Sequence, residues 1–177
     1  MRNIILVGFM GVGKSAVANF LKKNKNMTVM DTDHLIEEKE GCSIQEIFKE
    51  KGEPYFRSLE TRLLEELCSH GLSNTVISCG GGMVLDPANV ILMERLGVVV
   101  ALTATPETIY QRVKNCKNRP ILDKNMNVEY INNLLKKRKE FYEKASTIQI
   151  ETDNKTIEKA CEELFIALSH STCPKER

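Results

Sequence analysis

Near the start of the chain, one stretch fits the phosphate-binding pattern G-x-x-x-x-G-K-[ST]: Gly8-Phe9-Met10-Gly11-Val12-Gly13-Lys14-Ser15. Glycines let the backbone bend tightly and turn its N–H groups toward phosphate oxygens. In such a loop Lys14 can reach the β- and γ-phosphates, and the Ser15 hydroxyl can bind Mg²⁺. The alternative is a glycine-rich turn that matches by coincidence. The residues expected to contact the triphosphate are Gly11, Val12, Gly13, Lys14, Ser15 and Ala16.

Two carboxylates, Asp31 and Asp33, follow a short apolar run that ends at Met30. Phosphoryl transfer needs a metal held by hard oxygen ligands and a positioned acceptor. Asp31, together with Ser15, can hold Mg²⁺ or one of its waters. Asp33 can accept a hydrogen bond from an attacking hydroxyl and act as its base. Taken alone, the same stretch could equally be the N-cap of a helix.

Three consecutive glycines, Gly80, Gly81 and Gly82, follow another apolar run, which predicts close approach of the backbone to a ligand. A flexible turn is the simpler alternative. Arg57 and Arg138 could each bind a carboxylate through two parallel hydrogen bonds, as lysine cannot. Without further support, a solvated helix face is the better interpretation of each arginine.

Strand-like and helix-like stretches alternate along the chain and must position these residues. The pattern predicts an α/β three-layer sandwich around a parallel sheet of about five strands. Ligands in such sheets bind beyond the carboxyl ends of the strands, where the glycine loop, the two aspartates and the triple glycine should converge. Strands are predicted at 3–7, 28–30, 75–78, 98–102 and 148–150. Helices are predicted at 16–21, 33–40, from 43, 55–70, 87–96, 107–113, 128–145 and 157–168. Ser43-Ile44-Gln45-Glu46 predicts a capping box, Gly52-Glu53-Pro54 a helix break, and Asp86-Pro87 and Thr105-Pro106 helix starts. The apolar stripe of the helix at 55–70 is predicted to be Leu59, Leu63, Leu64 and Leu67. The polar stretch 114–123 is predicted to be a mobile loop and the tail 169–177 to be disordered.

Composition limits the possible functions. With 177 residues the chain suits a single domain, and 42% hydrophobic with 28% charged residues is ordinary for a globular protein. A net charge of +1 and an aromatic content of 6% without tryptophan argue against nucleic-acid binding. No run approaches the roughly 20 apolar residues of a membrane span, and no signal peptide precedes the first strand. The six cysteines form no C-x-x-C pair, so we expect free thiols and a cytoplasmic location.

Taken together, these motifs resemble the shikimate kinase family, over about residues 3–168. The glycine loop is shared by many enzymes, so the resemblance depends on the other motifs. They are Asp31-Thr32-Asp33, Ser43-Ile44-Gln45-Glu46-Ile47-Phe48, Gly52-Glu53-Pro54-Tyr55-Phe56-Arg57 with Glu60, Ser78-Cys79-Gly80-Gly81-Gly82, Arg119-Pro120, and Lys137-Arg138 with Tyr142.

The resemblance implies a P-loop kinase fold, similar to nucleoside-monophosphate kinases, with a mobile lid at about 112–124 and a substrate-binding region at about 33–61. It implies transfer of the γ-phosphate of ATP to the 3-hydroxyl of shikimate, with Mg²⁺, on the route to aromatic amino acids. We expect a monomer whose partners are small molecules only.

The resemblance also assigns roles to individual residues. Asp33, Arg57, Arg138 and the glycines 80–82 would bind shikimate, with Asp33 as the base. Catalytic roles fall to Lys14, Asp33 and Arg119, the last being the lid arginine that closes over the phosphates. Arg112 would stack on adenine, with the turn at Asp153-Asn154 on its other side. Ser15 and Asp31 would attend Mg²⁺. Ala16 and Cys79 depart from the residues usual in the family.

Two alternatives remain. A related kinase could act on another small polyol acid such as gluconate, although Arg57 and the triple glycine fit shikimate better. The chain could also be a degenerate nucleotide-binding module without catalysis. Loss of Lys14, Asp33 or Arg119 would favour that module, and all three are present.

Overall fold

A computed structural model describes residues 2–114 and 127–171. In these ranges five parallel strands form one sheet in the order β2-β3-β1-β4-β5. The strands are β1 (Ile4–Val7), β2 (Thr28–Asp31), β3 (Thr75–Ser78), β4 (Val98–Thr103) and β5 (Ile148–Glu151). The helices are α1 (Lys14–Lys25), α2 (Thr32–Glu40), α3 (Ile44–Ser69), α4 (Pro87–Leu96), α5 (Pro106–Val113), α6 (Val128–Ala145) and α7 (Ile157–His170), with a 3₁₀ turn at Met83–Leu85.

The central strand of the sheet, β1, lies in the middle of the hydrophobic core. All four residues of β1 are at most 1% exposed, so the strand is covered on both faces. β1 pairs in parallel with β3 on one side and with β4 on the other. Such a strand needs apolar residues at successive positions rather than in alternation, as the run Ile4-Ile5-Leu6-Val7 supplies. The predicted α/β sandwich is confirmed.

The glycine loop leaves β1 at the point where the strand order reverses, which is the usual ligand site of such sheets. Its glycines are required by close packing as well as by backbone conformation. Gly8 has φ 140°, and a Cβ there would lie 2.4 Å from the Leu102 carbonyl oxygen. Gly11 has φ 80°, and a Cβ would lie 2.6 Å from Val113 Cγ1. The loop therefore rests against the end of β4 and against α5.

Nearby capping residues determine where the helices that border the loop begin. Asp31 caps α2, and Ser43 begins α3 with the reciprocal capping box that its sequence predicts. Within α3, Gly52 has φ 79° and ψ 170°, so two helical segments meet at a kink there. The predicted break at Gly52-Glu53-Pro54 is confirmed. Leu59, Leu63, Leu64 and Leu67, the predicted apolar stripe, are all buried.

Several boundaries differ from the prediction, and helix α1 extends four residues beyond its predicted end, to Lys25. Helix α7 continues to His170, and the Ser171 N–H donates to the Ala167 carbonyl, so disorder from Ser169 was wrong for residues 169–171. The first residues of the predicted lid at 112–124 belong to α5. One of them, Val113, is buried in the core. The 3₁₀ turn after the triple glycine was not predicted. Residues 115–124 of the predicted lid and residues 172–177 of the predicted tail lie outside the described residues.

Within 2–114 and 127–171, every helix is either too short or too polar to cross a membrane.

Candidate active site

A cavity of about 800 Å³ opens at the carboxyl ends of the strands. It brings the glycine loop, both aspartates and the triple glycine together, so Lys14 and Asp33 border the same space. The predicted site residues that line it are Gly11, Gly13, Lys14, Ser15, Ala16, Asp31, Asp33, Arg57, Gly80, Gly81, Gly82, Arg112 and Arg138. Val12 is instead buried beneath the loop, and Asn154 is not among the lining residues. Arg119 lies outside the described residues.

Lys14 lies folded back over the glycine loop. Its ammonium donates to the carbonyl oxygens of Gly8 (2.8 Å) and Phe9 (3.1 Å). These contacts hold a positive charge beside the N–H groups of the loop and the N-terminus of α1, where phosphate binds favourably. The phosphate side of the cavity is thus arranged for an anion by local structure alone.

The underside of the loop is held by residues from distant parts of the chain. The Arg112 guanidinium donates to the carbonyls of Gly11 and Val12, both at 3.3 Å, and to the Thr152 carbonyl at 2.8 Å. The buried Thr152 hydroxyl lies 2.9 Å from the Val12 carbonyl oxygen and 3.1 Å from that of Thr103. Arg112 and Thr152 therefore fix the peptide groups of the loop against β4 and β5.

The turn after β5 is held to α5 rather than opening directly on the cavity. The Asp153 carboxylate accepts hydrogen bonds from the Thr105 backbone N–H and hydroxyl, at 2.9 and 2.7 Å. Asn154, the next residue, adopts a left-handed conformation with φ 51°. Asp153 thus acts as a structural link beside the region predicted for adenine.

Ser15 and Asp31 are the predicted metal pair, and both line the cavity. Asp31 Oδ1 accepts from the backbone N–H groups of Asp33 (3.1 Å) and His34 (3.3 Å), so the helix-cap interpretation is correct for this oxygen. Within residues 2–114 and 127–171 the other oxygen of Asp31 accepts no hydrogen bond and could bind a metal or its water. Among the described residues no group of three or more His, Cys, Asp or Glu could hold a metal ion. A hydroxyl and one carboxylate suit Mg²⁺, which keeps several waters and binds phosphates.

On the opposite side of the cavity, the triple glycine packs against charged side chains. A Cβ on Gly80 would lie 2.6 Å from Asp33 Oδ1 and 3.1 Å from Glu60 Oε1. A Cβ on Gly82 would lie 2.5 Å from Arg57 Nη1. The absence of side chains therefore lets two carboxylates and a guanidinium approach the backbone, and the flexible-turn alternative does not explain these contacts.

Arg57 is held by two glutamates of its own helix. Nη1 donates to Glu60 Oε2 at 2.7 Å, while Nη2 and Nε donate to Glu53 Oε1 at 2.7 and 3.2 Å. Three of its five N–H groups are engaged in this way. Within the described residues the remaining N–H groups of Arg57 donate to no acceptor, so they are available to an incoming carboxylate.

Glu60 is one of the residues of this site to which the sequence assigned no role. It is fully buried, and its Oε1 has no hydrogen-bond partner among the described residues. Burial raises the pKa of Glu60 to about 7, the pairing with Arg57 opposes this rise, and the nearby charge of Asp33 adds to it. The available signal was its spacing of three residues from Arg57, which places both on one face of α3.

Arg138 and Tyr142 approach from α6, one helical turn apart. The Arg138 guanidinium lies over the Phe9 ring, 5.7 Å from the ring centre, beside the glycine loop. The Tyr142 hydroxyl donates to the Gly81 carbonyl at 2.6 Å. Burial raises the pKa of Tyr142, although a hydrogen bond and the charge of Arg138 oppose the rise. Tyr142 was recognised only as part of a motif, without a role.

An apolar wall completes the acceptor side. The rings of Phe48 and Phe56 pack with their centres 4.9 Å apart, and both line the cavity. Other lining residues to which the sequence assigned no role are Met10, Glu37, Ser43, Ile44, Gln45, Ser78 and Cys79. Burial raises the pKa of the Cys79 thiol far above its usual range, so Cys79 contributes a neutral surface.

A parallel sheet with a glycine loop after its central strand, facing an acidic and arginine-bearing wall, defines a P-loop phosphotransferase. The model of the shikimate kinase family matches residues 10–169. Shikimate kinase of Dehalococcoides mccartyi strain 195 is 44% identical over 165 residues, covering 92% of this chain and 90% of the relative. That of Pelotomaculum thermopropionicum is also 44% identical, covering 93% and 94%. The chain belongs to the shikimate kinase family.

Solved structures agree with this assignment. The structure of shikimate kinase from Acinetobacter baumannii in complex with shikimate superimposes with a TM-score of 0.87 at 34% identity. It covers 98% of this chain, and this chain covers 96% of it. The structure of shikimate kinase from Aquifex aeolicus gives a TM-score of 0.79, also at 34% identity, over 95% and 96%.

Proposed function

We propose that this chain transfers the γ-phosphoryl group of ATP to the 3-hydroxyl of shikimate, giving shikimate 3-phosphate and ADP for aromatic amino acid biosynthesis. One observation carries the proposal: an anion-binding loop with Lys14 and an acceptor wall with Asp33 and Arg57 border a single cavity. Family membership supports the choice of shikimate as acceptor.

On the phosphate side, the loop N–H groups and Lys14 bind the β- and γ-phosphates. Ser15 and Asp31 are the residues that would hold Mg²⁺. When bound, Mg²⁺ neutralises charge on the phosphates and helps to orient them. Arg119, which lies outside the described residues, is assigned by resemblance to closing over the phosphates. Arg112 borders the predicted adenine region from α5 and reaches the loop with its guanidinium.

On the acceptor side, Arg57 and Arg138 hold the carboxylate of shikimate and the glycines 80–82 line its ring. Asp33 accepts a hydrogen bond from the reacting hydroxyl and takes its proton as the phosphoryl group arrives. The fixed contacts of Arg57 to Glu53 and Glu60 keep the guanidinium oriented before the substrate binds. This preorganisation lowers the entropic cost of aligning the hydroxyl with the γ-phosphate.

A cytoplasmic location, a monomeric state and the division into lid and substrate-binding region remain predictions of the sequence.

The test is ADP release with ATP and Mg²⁺, measured with shikimate and with gluconate in parallel. We expect turnover of shikimate alone, and no turnover in a Lys14→Ala control. Turnover of gluconate alone would overturn the proposal in favour of the related kinase. Calorimetry with shikimate and a nonhydrolysable ATP analogue tests the remaining alternative, a nucleotide-binding module without catalysis. Binding of the analogue without any binding of shikimate would indicate a nucleotide-binding module.

A further inference from the structure

Tyr142 joins two parts of the acceptor side that are far apart in sequence. It lies four residues after Arg138, so both side chains are on one face of α6. Its hydroxyl donates to the Gly81 carbonyl at 2.6 Å and also interacts with the Arg138 guanidinium. The hydroxyl therefore donates its single proton to Gly81 while lying close enough to Arg138 for the guanidinium charge to act on it.

The Gly81 carbonyl shares a trans peptide with the Gly82 N–H, and the two groups point in opposite directions. Fixing the carbonyl therefore fixes the direction of the N–H. Neither the Gly81 nor the Gly82 N–H donates to an acceptor within the described residues, and both glycines line the cavity. A hydrogen bond at the carbonyl also polarises the peptide and strengthens its N–H as a donor.

The same glycine is where the two sides of the cavity meet. A Cβ on Gly81 would lie 3.3 Å from the Gly8 carbonyl oxygen and 3.6 Å from the Tyr142 hydroxyl. Gly81 therefore lies where the acceptor wall approaches the glycine loop. Glycines resist rotation of their peptide groups weakly, because no side chain limits their backbone angles. An external contact is needed to keep one orientation.

We propose that Tyr142 is a positioning residue for the acceptor. Its hydroxyl holds the Gly81–Gly82 peptide in one orientation beside Arg138, so that a carboxylate-bearing polyol meets an oriented N–H next to the guanidinium. The proposal rests on the proposed function, since shikimate is the acceptor in its test. A purely structural hydroxyl would satisfy the buried carbonyl without affecting one substrate more than the other.

The test is Tyr142→Phe, which removes only the hydroxyl. The matched control is Tyr130→Phe on the same helix, where the residue is 40% exposed. A net hydrogen bond of about 1 kcal/mol predicts a rise of about fivefold in the KM for shikimate. The KM for ATP and kcat should change less than about twofold. Thermal melts ensure that all variants are assayed below their unfolding transitions.

A second measurement is independent of the substrate. In ¹⁵N-resolved NMR of the ligand-free protein, Tyr142→Phe should shift the Gly82 amide signal, because its peptide loses a hydrogen bond. Tyr130→Phe should leave this signal in place. If KM rises equally for both substrates, or for neither, or if the Gly82 signal does not move, the proposal is overturned.

If the proposed function itself is wrong, the experiments give a different result. In that case the unmodified protein would neither phosphorylate nor bind shikimate. The Gly82 signal would then decide alone whether Tyr142 orients the peptide.

Discussion

On the phosphate side of the cavity the contacts are made mainly by backbone groups. The loop carbonyls accept hydrogen bonds from Lys14, Arg112 and Thr152, and glycines provide the close packing. On the acceptor side the contacts are made by charged side chains. Arg57 is paired with Glu53 and Glu60. Glycines occupy positions 80 and 82, where charged side chains lie against the backbone and leave no room for a Cβ.

The difference lies in how each side responds to its surroundings. Peptide dipoles have no proton to lose, so the phosphate side should keep its geometry over a wide pH range. The acceptor side depends on a buried carboxylate whose pKa is raised to about 7, and on the nearby charge of Asp33. The geometry and the charge of the acceptor side should therefore both change with pH. Substitutions on this side should affect binding of the acceptor rather than binding of ATP.

The largest expected effect comes from Asp33. Asp33→Asn preserves shape but removes the base, and we expect kcat to fall by about 100-fold or more. ATP affinity, measured by calorimetry with a nonhydrolysable analogue, should change little because Asp33 lies on the acceptor side. Near-normal turnover would remove Asp33 from the role of base and would weaken the contrast between the two sides.

The next effect concerns stability. The pKa of Glu60 in the folded protein, about 7, lies above its ordinary value of 4.5. The contribution of protonated Glu60 to the free energy of unfolding is thus fully present below pH 4.5, and it is lost as the pH rises through 7. The linkage relation gives a loss of about 2 kcal/mol in the free energy of unfolding between pH 5 and pH 7.

Urea unfolding across this pH range, with Glu60→Gln, measures this loss. The variant should remove most of the pH slope, whereas Glu53→Gln, with a side chain 60% exposed, should retain it. An unchanged slope in Glu60→Gln would show that another group is responsible.

A smaller effect is expected from Arg57→Lys. Lysine keeps the charge but loses the planar set of donors that matches a carboxylate, so shikimate affinity should fall by about tenfold. ATP affinity should stay within about twofold. Arg62→Lys, an exposed position of the same helix, is the control. Equal weakening of both ligands, measured by calorimetry, would indicate that Arg57 supports the fold instead.

The smallest effect is expected on the phosphate side. Thr152→Val keeps the shape of a buried residue but removes its contact with the Val12 carbonyl. We expect the KM for ATP to rise about threefold, since one net hydrogen bond is distributed over a loop that Arg112 still holds. The KM for shikimate should not change. Thr147→Val, at an exposed position before β5, is the control, and a larger effect on shikimate than on ATP would contradict the division of the cavity.

Much of the fold was predictable because its signals are local. The Ser43 capping box, the Asp86-Pro87 and Thr105-Pro106 helix starts and the break at Gly52 each depend on residues within a few positions. The end of α7 was placed too early because polar residues such as Ser169 are typical of tails, yet the helix continues through them. The roles given to the predicted site residues remain proposals, although most of these residues share one cavity.

By itself, the sequence determined the alternation of strands and helices, the phosphate loop and the family. These follow from side-chain periodicity and from motifs whose members are close in the chain. Only the tertiary structure decided that Tyr142 holds Gly81, 61 residues away, and that Thr152 holds Val12, 140 residues away. It also decided that Glu60 is buried and that one of its oxygens has no hydrogen-bond partner in the part of the chain that the structure describes. Such contacts depend on how whole elements pack, because burial and pairing at long range leave no pattern in neighbouring residues.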